Sequence, residues 1–121
     1  MKLYTSLALT MLVSCFAVSQ SRTEVIAPMS GIGKGKVAFK VRDGGGELQA
    51  EGERLRRNTT YILNVGGGRF VRTVTTDGFG TYRLSVRFAR GNAPAIVAGT
   101  RAVLLDGARN TVQRGVFANK R

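Results

Sequence analysis

The chain has 121 residues and carries 19 Lys and Arg against 7 Asp and Glu, a formal charge of +12. It has no histidine, no tryptophan and a single cysteine. A His/Cys metal centre and a His-activated nucleophile are therefore excluded, an internal disulfide is impossible, and the positive balance favours anionic partners.

Residues 1–19 read as a signal peptide: Lys2 makes a short positive start, an apolar stretch runs to Val18, and small residues precede a polar segment. The stretch is too short and too interrupted by Thr5, Ser6 and Thr10 for a good transmembrane helix. Ala17-Val18-Ser19 offers an ordinary cut before Gln20, whereas Leu12-Val13-Ser14-Cys15 resembles the bacterial lipobox and would make Cys15 the site of lipid attachment. The apolar Phe16-Ala17-Val18 after Cys15 favours the cut before Gln20. The expected location is periplasmic or extracellular, or alternatively the cell envelope through a lipid on Cys15. The mature chain would keep 102 residues and a charge of +11, enough for one domain with a modest core.

Residues 20–33, with Pro28, Gly31 and Gly33, read as a flexible linker. From there the period of the apolar residues is two. Val37, Phe39 and Val41 alternate with charged residues, Asp43-Gly44-Gly45-Gly46 signals a turn, and Leu48 and Ala50 alternate with Glu47, Gln49 and Glu51. A hairpin with a four-residue loop would set Arg42 opposite Glu47 and Lys36 opposite Glu53, leaving one apolar face and one charge-matched face.

Tyr61, Leu63 and Val65 mark the next strand, residues 69–76 another, and Tyr82, Leu84, Val86 and Phe88 a third. Residues 95–105 hold one strand or two, and residues 111–117 close a domain spanning 34–118, with a basic tail at 119–121. Short strands with glycine turns and no helical segment predict an all-β fold: a single Greek-key, Ig-like antiparallel β-sandwich of about seven strands.

Two short motifs support that architecture. Leu55 and Tyr61 resemble the corner of fibronectin type III domains, where a tyrosine before the penultimate strand folds back to bond the corner backbone; Arg57 stands where the family usually has proline. Thr75-Thr76-Asp77-Gly78-Phe79-Gly80-Thr81-Tyr82 resembles the strand-turn-strand of carboxypeptidase-regulatory-like and other bacterial Ig-like domains. The resemblance implies a spacer, adhesion or ligand-contact module.

Among motifs that carry chemistry, "GIGKGK" at residues 31–36 has the wrong spacing for a phosphate loop and reads as a flexible basic lead-in to a strand. Asp77 and Asp106 both sit in Asp-Gly turns, where the residue type already has a structural role. No catalytic, metal or cofactor site is predicted, and the expected protein is not an enzyme. If residues 69–76 pair with 81–88 across the Asp77 turn, one face gathers Phe70, Arg72 and Val74 with Arg83 and Arg87 and no acid, with Val71, Thr73 and Thr75 turned inward. That face is the predicted docking surface for an anionic polymer, a membrane surface or an acidic protein; export argues against nucleic acid. The alternatives are a purely structural module without its own ligand and, remotely, an exported enzyme with a carboxylate site.

Overall fold

A computed structural model describes residues 23–120. The nine strands are β1 (Thr23–Gly31), β2 (Gly33–Arg42), β3 (Gly45–Glu53), β4 (Thr60–Val65), β5 (Phe70–Thr75), β6 (Tyr82–Phe88), β7 (Arg101–Leu105), β8 (Thr111–Val116) and β9 (Ala118–Asn119). All pair antiparallel in one sheet with the order β5-β4-β7-β8-β1-β2-β3-β6, and β9 lies beside β1. The ends of the sheet, β5 and β6, come together through edge-to-face stacking of Phe70 on Phe88, with ring centroids 5.8 Å apart. The all-β antiparallel expectation holds, but the architecture is a nearly closed barrel and not a clear seven-strand sandwich.

The reason lies in residues 20–33, which hold β1 where a linker was expected. Val25, Ala27 and Met29 point into the core, and β1 pairs with β2 along its whole length. Its other edge pairs with β8 at Ser30 and Gly31 and with β9 at Val25 and Ile26. β1 thus joins two groups of strands that would otherwise form separate sheets. Pro28 sits in the gap between those two pairings, where a residue without an N–H is tolerated. Gly31 and Gly33 of "GIGKGK" close the hairpin between β1 and β2, with Ile32 at its apex, and Gly35 lies within β2 opposite Met29. A side chain at Gly31 would collide with the Val112 carbonyl, and one at Gly33 with the Glu53 carbonyl. The predicted basic tail likewise begins inside β9.

The alternation on β2 and β3 is as expected, but the register differs by two residues. Asp43 and Gly44, with φ of 52° and 83°, form a two-residue turn. Lys40 therefore faces Glu47, Lys36 faces Glu51 and Lys34 faces Glu53. A shift of two preserves the faces; a shift of one would have inverted them.

Residues 76–81 do not close a hairpin between β5 and β6, contrary to expectation. β5 pairs with β4, and β6 with β3. Local bonding holds each strand to its partner. Thr76 Oγ1 donates to the Arg56 carbonyl (2.6 Å) and accepts from the Thr59 amide (2.9 Å), tying the end of β5 to the start of β4. Across from Tyr82, Gly52 has no side chain, and the tyrosine ring fills that space on β3. The core includes Phe39, Leu48, Leu63, Val65, Leu104 and Phe117, with Val41, Leu84 and Val86 packed half-buried at its margin.

Candidate functional site

The five residues predicted to form an arginine face are not brought together. Phe70 and Val74 are buried, because β5 turns Phe70 and Val74 inward and Val71, Thr73 and Thr75 outward, the reverse of the predicted phase. The Arg72 guanidinium lies over the Phe70 ring, 5.5 Å from its centroid. Arg83 and Arg87 lie on the opposite half of the barrel, facing Glu51 and Glu47. Cys15 lies outside the described residues.

The outer surface divides by strand. On β1, β2, β3 and β6 the register builds two rows of alternating charge: Glu24, Lys40, Glu47, Arg87 and, four residues along, Lys36, Glu51, Arg83. Lys120 adds an ion pair to Glu24 (3.6 Å). All four glutamates of the chain lie on this half. Such a face neutralises itself.

The barrel end that carries the β1–β2 turn is built differently. Four connections lie there: residue 32, residues 54–59 between β3 and β4, residues 76–81 between β5 and β6, and residues 106–110 between β7 and β8. The second and third are laced by backbone bonds, Leu55 N to Gly80 O (3.1 Å), Asn58 N to Asp77 O (3.1 Å) and Thr76 N to Thr59 O (2.9 Å). Leu55 anchors the loop in the core, and the Arg56 amide donates to the Tyr61 hydroxyl (3.2 Å). This is the tyrosine-corner geometry anticipated for Leu55 and Tyr61, but it stands before β4 and not before the penultimate strand. Asp77 fixes the third connection: its Oδ1 accepts from the amides of Phe79 (2.8 Å) and Thr81 (3.0 Å). Those bonds, the Thr81 amide foremost, hold its carboxyl below the usual carboxylate value of 3.8. Asp106 serves the β7–β8 turn at the same end, accepting from Ala108 and Asn110.

This fixed frame presents cations and apolar side chains. Arg54, Arg56 and Arg57 are exposed and make no side-chain hydrogen bond or ion pair with the described residues. Arg54 and Arg109 adopt left-handed backbone, with φ of 62° and 65°. Glycine or asparagine would take that conformation at lower cost, so arginine is not there for the turn. Phe79, at the tip of the third connection, is 88% exposed, and Ile32 at the apex of the first is 58% exposed. Gly33 packs against the Glu53 and Arg54 carbonyls, and Gly80 against Leu55. The arginine loop is therefore flanked by Ile32 on one side and Phe79 on the other.

Sequence reasoning missed this cluster while reading its parts as a corner and a turn. A usable signal was present. Phe79 stands inside a turn, where no strand face exists to bury it, and "RLRR" at 54–57 has no acid at cross-strand spacing. The chain matches no protein-family model, and no curated protein matches it.

Proposed function

We propose that the chain is an exported, non-catalytic β-domain that docks on an anionic partner through Arg54, Arg56 and Arg57, at the end of the barrel that carries the β1–β2 turn. The observation that carries this reading is a set of arginines whose side chains make no hydrogen bond or ion pair with the described residues, on loops fixed by hydrogen bonds. The fixed backbone reduces the loop ordering that binding requires, and of the four glutamates only Glu53 reaches this end, where it faces Lys34. The aspartates at this end are occupied by turn amides, which favours a binding role over acid–base chemistry.

The strand order accords with an Ig-like origin. With β1 set aside, β2-β3-β6 and β4-β7-β8 lie in the order of strands A-B-E and C-F-G of immunoglobulin-like sandwiches. Fold does not specify function, so the functional reading rests on the loop cluster.

The test is retention on an anionic polymer such as heparin as salt is raised. The Arg54→Ala/Arg56→Ala/Arg57→Ala variant should elute at clearly lower salt than an Arg69→Ala/Arg90→Ala/Arg101→Ala variant of equal net charge. Nonspecific attraction alone would weaken both alike. Equal elution of the two variants would overturn the reading.

A further inference from the structure

From the same end of the barrel, and resting on its reading as an anion-docking surface, we infer that the anionic partner is a lipid surface into which Phe79 and Ile32 insert. The two side chains protrude from neighbouring tips, on either side of the arginine loop. Neither has a role in the fold that requires its exposure: the Asp77 turn is held by backbone amides, and the β1–β2 hairpin by its glycines and by the bond from Ile32 N to Val112 O (2.9 Å). A soluble polyanion offers phosphate or sulfate groups but no apolar phase to take a phenylalanine and an isoleucine. A bilayer of anionic lipid offers both at the right depths: headgroup charge for Arg54, Arg56 and Arg57, and acyl chain just beneath for the tips. Charge complementarity and the apolar projections therefore select the same occupant. The fixed loops favour insertion, since the tips are already extended and little ordering remains to be done on contact.

The experiment uses the purified protein with vesicles of phosphatidylcholine alone or containing phosphatidylglycerol, and with heparin as a lipid-free anion. Wild type should partition onto the phosphatidylglycerol vesicles and much less onto phosphatidylcholine. Phe79→Ser should lower that partitioning about tenfold or more, the scale expected for losing one buried aromatic side chain, and should leave heparin retention unchanged. Ile32→Ser should act in the same direction. Because the chain has no tryptophan, Phe79→Trp supplies a direct probe. Its emission should shift to the blue and be quenched by brominated lipid on phosphatidylglycerol vesicles, with no shift on heparin. Vesicle binding unaffected by Phe79→Ser, or Phe79→Trp emission that stays water-like on vesicles, would overturn the lipid assignment. So would equal losses of heparin and vesicle binding in Phe79→Ser. These results are separable from failure of the docking reading itself, which would show as heparin retention unaffected by the triple arginine variant.

Discussion

The two ends of the barrel carry similar charge and use it in opposite ways. At the end holding the β2–β3 turn, cations serve the fold. Arg90 Nε donates to the Asp43 carbonyl (2.9 Å), Arg69 Nη1 donates to the Ala95 carbonyl (2.9 Å), and Lys120 pairs with Glu24. The backbone they hold is long and irregular, running through residues 89–100 without a strand. At the other end the backbone is held by its own amides, by Thr76, by Tyr61 and by two aspartates, so the arginines are released from structural duty. Where short polar side chains fix a loop, long cationic ones become available for a partner; where they do not, arginine is consumed in the fixing.

The largest expected difference between the ends comes from one substitution made at both. Gly80 and Gly67 have similar φ, 77° and 65°, yet a side chain at Gly80 would collide with Leu55, and one at Gly67 would meet nothing within 4 Å. Gly80→Ala should cost about 2–3 kcal/mol in denaturant unfolding, combining left-handed strain with backbone collision, and Gly67→Ala about 1 kcal/mol from strain alone. Equal costs would mean that the laced end is no tighter than the open one.

A comparable effect is expected at alkaline pH. Burial, aided by the Glu51 carboxylate, pushes the Tyr82 hydroxyl from 10.0 up to about 12. The folded state favours the neutral phenol, so this contribution is complete below pH 10 and is lost as pH rises through about 12. The loss should reach about 2–3 kcal/mol. The hydroxyl is buried without a hydrogen-bond partner among the described residues, so Tyr82→Phe should be as stable as wild type or about 1 kcal/mol more so at neutral pH. It should also flatten the alkaline limb of a plot of midpoint against pH. A large loss in Tyr82→Phe would reveal a partner for that hydroxyl.

Thr76→Val removes the hydroxyl that clasps residues 56 and 59 and should cost about 1–3 kcal/mol, with Thr76→Ser retaining most of the stability. Arg54→Asn probes the trade between stability and docking. It should gain about 0.5–1 kcal/mol by relieving the left-handed arginine while lowering anion retention. A variant that gained stability without losing retention would separate Arg54 from the site. The smallest effect concerns acid. The folded Asp77 carboxyl titrates below its unfolded value of 3.8. Its support of the turn is complete above that value and is lost as pH falls through the depressed one. Asp77→Asn should therefore show a shallower fall of the thermal midpoint from neutral pH down to about pH 2 than wild type.

Most of the secondary structure of the described residues is legible in the amino-acid pattern. Period-two alternation placed Phe39, Leu48, Tyr61 and Leu63 inside, because a strand has only two faces and one of them meets the core. It also identified Asp77 and Asp106 as turn residues, since an aspartate bonding amides two and four positions onward is a local event. Which strands are neighbours depends on contacts between distant parts of the chain. Thr76 binding Arg56 and Thr59, and Tyr82 filling the space over Gly52, connect residues about 20 or 30 positions apart, beyond the reach of a local pattern. β1 is hidden for the same reason: Pro28 and the nearby glycines look like linker until the gap on β1 between its pairings with β8 and β9 provides a place where proline is allowed. The candidate site followed the pairing. Arg83 and Arg87 look like free cations in the sequence because their acid partners, Glu51 and Glu47, belong to a strand more than 30 positions away. Phe79 and Arg54 became neighbours only when two turns far apart in sequence were bonded to each other. Alternation is a property of the strand, whereas partnership depends on which edges of the barrel remain unpaired, and that is fixed only when the whole chain has folded.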